Sequence, residues 1–229
     1  MTPCPALTAV LFDLDGTLFD RDTALQRLAS RQYGEFCLAR WIRDPAAWQR
    51  SFRCWHQRPL PAAEVYAQLA REFALPPLLP QLLQQHLDSH LHEEGPEIPG
   101  AAALLARLHG LGLKIAILCP GPERMQRRKL KQLDFEPYVD AVLAAGTPEP
   151  APPAPAILAE ALHRLAVPAS QALLVSSDRH AGIEAARQLG LRTVLRDSGP
   201  HPAAHFCSEA LSAIGDYIVA RRQCALPHS

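Results

Sequence analysis

Two aspartates one residue apart, Asp13 and Asp15, close the apolar run Val10-Leu11-Phe12 and are followed at once by Gly16 and Thr17. Val10 to Phe12 has the composition of a strand buried in a parallel sheet. Acidic groups at the carboxyl end of such a strand stand where open α/β sheets bind ligands. On an extended backbone alternate side chains share a face, so Asp13 and Asp15 project the same way. Two carboxylates this close repel each other unless a cation or a shared proton relieves them. Gly16 allows a tight turn away from the strand, and the Thr17 hydroxyl can serve that turn or a ligand.

The rest of the chain must hold this pair in place. From residue 20 to about 92 no convincing strand is found. Asp22 can cap a helix through Ala24, Leu25 and Leu28, and Asp44-Pro45 starts a second. Trp48, Phe52 and Trp55 fall on one face of that second helix, as core packing between helices requires. Pro59 and Pro61 end it, a third helix carries Val65, Leu69 and Phe73, and a fourth carries Leu78, Leu82, Leu83 and Leu87. On the fourth, His86 and His90 lie one turn apart with His92 nearby; without further ligands they read as a solvated face. From Glu97 helices and strands alternate, with strands expected at 114–118, 139–143, 172–175 and 193–195. That alternation predicts an α/β fold, a Rossmann-like parallel sheet formed by residues 1–19 and 93–229, interrupted by an all-helical insertion at 20–92.

Asp13-Leu14-Asp15-Gly16-Thr17-Leu18 resembles the first signature motif of the haloacid dehalogenase-like (HAD) superfamily, and the resemblance to its phosphatase-type branch runs over nearly the whole chain. The resemblance implies that Asp13 is a nucleophile transiently phosphorylated and that Asp15 is the acid/base for the leaving group. It also implies that the helical insertion is a cap, that Mg²⁺ is the cofactor with Asp13 and Asp15 among its ligands, and that the substrate is a small phosphorylated metabolite. Asp15 favours phosphoryl transfer over carbon–halogen cleavage, since the true dehalogenases lack the second acid.

The family's other three motifs are altered. After Lys114 to Leu118 the expected Thr or Ser, Asn and Gly read Cys119, Pro120 and Gly121, while Glu123 to Leu130 resembles the helix that follows. Cysteine is a weak hydrogen-bond donor and proline has no N–H. Cys119 and Gly121 remain the substrate-binding candidates of this segment, with Thr17. As a nucleophile, Cys119 has no activating histidine beside it in sequence. The expected Lys-Pro-x-Pro segment has Pro152 in the lysine position, and Lys131 is the last lysine of the chain. The expected Gly-Asp with a later Asp reads Ser176, Ser177 and Gly182; Asp178, displaced by one position, is the remaining candidate metal ligand. Arg179, in the same loop, is a candidate to pair with Asp13 or to bind phosphate. With three motifs altered together, weak catalysis is expected, and an inactive relative that binds a ligand or partner is the alternative.

Bulk properties exclude other classes. Lys and Arg number 23 and Asp and Glu 23, giving formal net charge zero, so no electrostatic footprint for nucleic acid or an anionic membrane exists. No segment is apolar for long enough to span a bilayer, and the amino-terminal residues lack a secretory signal pattern. Six cysteines without Cys-x-x-Cys spacing fit a reducing cytoplasm.

Overall fold

The computed structural model describes residues 6–58, 60–119, 121, 123–144, 154–179 and 181–223. It divides into two compact units, one built from the chain up to Phe19 and from Glu97 onward, the other from Asp20–Pro96. The second ends a few residues beyond 92 because its last helix continues to Glu94.

The first unit is an α/β structure. Its strands are β1 (Ala9–Asp13), β2 (Lys114–Cys119), β3 (Ala141–Ala144), β4 (Ala172–Ser176), β5 (Arg192–Leu195) and β6 (Phe206–Cys207), in the order β3-β2-β1-β4-β5-β6 and all parallel. The sixth strand was not expected from sequence; at two residues it carries no periodicity to read. One face of the sheet, with Ala9, Leu11, Ala116, Leu118, Ala172 and Leu174, packs against Leu158, Ala161 and Leu165 of the helix Ala154–Leu165 and Ala185 and Ala186 of the helix Ala181–Gln188. The alternate residues Val10, Phe12, Ile115, Ile117, Leu173 and Val175 point the other way and are fully buried too. Burial on both faces is the reason β1 reads as continuous apolar sequence rather than as alternation.

Because β1 lies between β2 and β4, the strand order reverses beside it, and the gap between the ends of β1 and β4 is the point where open sheets of this kind bind ligands. Register pairs Phe12 with Val175, which sets Asp13 beside Ser176. Past β2 the chain enters a helix, Glu123–Gln132, whose buried positions are Gln126, Lys129 and Leu130.

Among the described residues the helical unit contains four α-helices, α1 (Arg21–Glu35), α2 (Pro45–His56), α3 (Ala62–Glu72) and α4 (Leu79–Glu94). Asp20, not Asp22, caps α1: its carboxylate accepts from the Thr23 N–H at 2.9 Å. The Trp48 and Phe52 side chains are fully buried, and the Trp48 indole donates to the Ala29 carbonyl at 2.9 Å. Trp55 instead donates to Glu72 near the surface. Of the α4 leucines, Leu83 and Leu87 are buried, whereas Leu78 and Leu82 are exposed. His86 is not on a solvated face. It is buried one turn after Leu83 and its Nε2 lies 2.8 Å from the Glu35 carboxylate. Among the described residues no helix is long and apolar enough to cross a membrane.

Candidate active site

The β1 strand delivers Asp13 to the carboxyl end of the sheet and a tight loop then carries Asp15. That loop is closed by backbone bonds from the N–H groups of Leu18 and Phe19 to the Leu14 carbonyl, both 2.9 Å, and from Gly16 N–H to the Phe19 carbonyl. Gly16 has φ of +76°, and a Cβ there would stand 2.6 Å from the Ser177 Oγ, so both backbone and space demand glycine. Arg196, just after β5, donates to the Gly16 carbonyl at 2.9 Å and ties the loop from the other side.

From β4, Ser176 Oγ donates to Asp13 Oδ2 at 3.2 Å. The Ser177 hydroxyl donates to the Asp15 carbonyl at 3.3 Å, and the Ser177 N–H to Thr17 Oγ1 at 2.9 Å. Thr17, a substrate-binding candidate by sequence, is fully buried and ties the β1 loop to the β4 loop. The Asp178 N–H donates to Ser176 Oγ, and its carboxylate accepts from the Gly182 N–H at 3.4 Å, near the start of the helix Ala181–Gln188. Burial and the neighbouring Asp15 charge push Asp13 up to about 7, with Asp178 adding to the rise; the Ser176 hydrogen bond pulls the other way.

The structure therefore brings Asp13, Asp15, Thr17 and Asp178 to one place. Cys119 closes β2 and is buried, and burial, with the Asp15 carboxylate second, raises its thiol far above the usual range. A thiol held neutral in this way is no nucleophile. Gly121, at φ +94°, occupies the left-handed region in the turn after β2. Arg179 is engaged elsewhere: its guanidinium pairs with Asp197 at 2.8 Å and donates to the Pro200 carbonyl at 3.2 Å. Pro120 and Pro152 lie outside the described residues.

Sequence reasoning missed the basic group of the site. Lys129 Nζ lies 2.6 Å from Asp15 Oδ1 and 4.7 Å from the centre of the Phe19 ring, and the side chain is only 1% exposed. The signal was present in the sequence as a lysine on the inward face of its helix, between Gln126 and Leu130, where an apolar residue belongs.

A model of the family's hydrolases, the haloacid dehalogenase-like hydrolases, matches residues 7–190. This chain belongs to the haloacid dehalogenase-like hydrolase family. The chain is similar to the glyceraldehyde 3-phosphate phosphatase of Pyrococcus abyssi, with 31% identity over 98 residues, 43% of this chain and 41% of that protein. It is 27% identical over 219 residues to the phosphoglycolate phosphatase of Pseudomonas fluorescens, covering 91% of this chain and 76% of that one. It is 36% identical over 105 residues to the ribulose-1,5-bisphosphate 5-phosphatase of Halopiger xanaduensis, 46% and 44% of the two chains. The match thus spans less than half the length of two of these three relatives. Among solved structures, a dehalogenase with an intermediate complex superposes with a TM-score of 0.72 at 23% identity over 93% of this chain and 97% of that one. CbbY from Rhodobacter sphaeroides in complex with phosphate gives 0.69 at 20% identity, over 91% and 96%. Both show the HAD fold.

The family implies Mg²⁺, and the donors present here fit it poorly. Magnesium wants near-octahedral oxygen ligation that includes one or two carboxylates. The positions implied for further metal acids hold Ser177 and Gly182. The Asp13 carboxylate and the Asp15 carbonyl each accept a serine hydroxyl, and the Asp15 carboxylate is held by an ammonium. Among the described residues no group of three His, Cys, Asp or Glu side chains could surround a metal ion.

Proposed function

We propose that this chain carries a phosphatase-type HAD site of low activity, acting on a small phosphorylated metabolite. Asp13 attacks phosphorus, the bond to the leaving oxygen breaks, and water then hydrolyses the aspartyl-phosphate, with Asp15 serving the leaving-group proton. The observation that carries this reading is the Asp13–Asp15 pair at the strand-order reversal, close enough that the Asp15 charge acts on the Asp13 carboxyl. The three similar curated proteins are all named as phosphatases of small phosphorylated compounds, which supports the substrate class. Low activity is supported by the environment of the pair. Stabilising the charge on a transferring phosphoryl group needs preorganised positive groups and donors, yet Cys119 stands at the hydroxyl position and the one buried lysine is committed to Asp15.

Hydrolysis of a generic aryl phosphate, with Asp13→Asn as the blank, tests the reading. A slow rate abolished by the substitution is expected. A rate in the ordinary enzymatic range that depends on Asp13 would show the altered motifs to be compensated. No rate above the blank would favour the second reading, a non-catalytic relative that binds a ligand or partner. The second reading is favoured by the pairing of the Asp15 carboxylate with the Lys129 ammonium, which holds the group that would serve the leaving-group proton.

A further inference from the structure

We infer that Lys129 is the resident cation of this site: its ammonium neutralises Asp15 in place of a divalent ion, so the acidic loop is held without metal. The inference concerns the same site as the phosphatase reading but does not depend on turnover.

Three observations carry it. A lysine at 1% exposure is rare unless it is paired, and this one is paired with an acid of the catalytic loop at 2.6 Å, from a residue 114 positions away in sequence. The fit is specific to a cation: beneath the ammonium lies the face of Phe19, and an aromatic face attracts positive charge. Neutral donors also reach two oxygens of the acidic segment, Ser176 Oγ on Asp13 Oδ2 and Ser177 Oγ on the Asp15 carbonyl. Two serines and one lysine, from two different elements, thus hold the acidic segment together. The lysine also comes from the helix after β2, whereas the family resemblance places its lysine in the segment where Pro152 stands.

The test compares thermal unfolding of the full chain in EDTA and in millimolar Mg²⁺, for the wild type and for Lys129→Met, with Mg²⁺ affinity read by calorimetry. The wild type is expected to melt at the same temperature in both solutions. Lys129→Met is expected to melt lower in EDTA and to recover part of the loss in Mg²⁺, with an affinity for the ion raised about tenfold or more, the scale of a typical coupling between two ligands of one site. Should the methionine variant not fold, Lys129→Gln, which keeps a donor for Asp15 and removes the charge, decides the matter in the same way. Tight Mg²⁺ binding by the wild type, or a Lys129 variant as indifferent to Mg²⁺ as the wild type, overturns the inference. Neither measurement uses substrate, so absence of turnover would sink the phosphatase reading and leave this result standing.

Discussion

In the α/β unit the Lys129 side chain lies 1% exposed against the Asp15 carboxylate; in the helical unit His56 lies 6% exposed, and among the described residues its Nε2 meets no hydrogen-bond partner. His56 stacks on Phe52 with centroids 4.1 Å apart, stands edge-on to Tyr66, and donates from Nδ1 to the Phe52 carbonyl at 2.9 Å. Burial, with the Arg21 charge adding to it, brings its pKa down to about 4. One base is buried with a counter-charge and the other by giving up its charge. The difference follows from chemistry: imidazole can be neutral near pH 7 at small cost, whereas an ammonium of ordinary basicity cannot, so it must carry a partner inward. It also separates function from packing. Lys129 meets an acid of the candidate active site, while His56 fills aromatic core.

The contrast breaks first at Lys129. Lys129→Met removes the ammonium from its short contact with Asp15, and losing one partner of a buried pair costs about 3–5 kcal/mol. Urea denaturation in EDTA should show a loss of that size, and Asp15→Asn combined with Lys129→Met should regain most of it. A loss no larger than that of a surface ion pair would place Lys129 on the same footing as Arg107 and Asp216.

Acid acts on the other base. The folded pKa of His56 is about 4 against an ordinary 6.5, so the unfolded chain takes up the proton first. The stability His56 confers is complete above pH 6.5 and is lost as pH falls from there toward 4. At about 1.4 kcal/mol per unit this amounts to about 3 kcal/mol. Stability measured between pH 7 and 4.5 should fall, and His56→Phe should flatten that part of the slope; an unchanged slope would mean that other groups set the acid limit.

Gly16→Ala tests whether the loop holding Asp15 is as closely built as its contacts suggest. The new methyl group meets the Ser177 Oγ and a φ of +76°, and about 1–3 kcal/mol of stability should be lost. A smaller effect is expected at Ser176→Ala, about 1–2 kcal/mol, since its hydroxyl donates to Asp13 and accepts from the Asp178 N–H. It carries a signature that packing loss would not produce: without the donor, the Asp13 carboxyl should titrate above its present value of about 7 in an NMR titration.

What could be read from the sequence was local. Val10 to Thr17 announces strand, acids and turn in eight consecutive residues, because each is specified by its neighbours. Asp44-Pro45 likewise marks its helix, and the structure places Asp44 as the cap, accepting from the Ala46 N–H. What could not be read was set by residues far apart. Lys129 looked like one more cation on a helix crowded with arginines, since its partner lies on another element. His86 looked solvated because no further ligands accompany it in sequence; the buried stripe of Leu79, Leu83 and Leu87 takes it inward, while Leu78 and Leu82 face outward. The altered motifs were legible as losses, but not the way Ser176 and Ser177 bond to the first motif, which needs the register of β1 against β4.

The placement of the indole rings has a practical consequence. The chain has three tryptophans, Trp41, Trp48 and Trp55, and all lie between Asp20 and Pro96. The α/β unit is therefore silent to light absorbed selectively by indole. Emission from this protein is an optical label for the helical unit alone, supplied without any engineering. A transition followed by that emission, set against one followed by far-ultraviolet circular dichroism from the whole chain, tells whether the two units unfold as one cooperative body or in sequence. Ligands of the acidic pair that leave the emission midpoint untouched while moving the other would be acting within the α/β unit only.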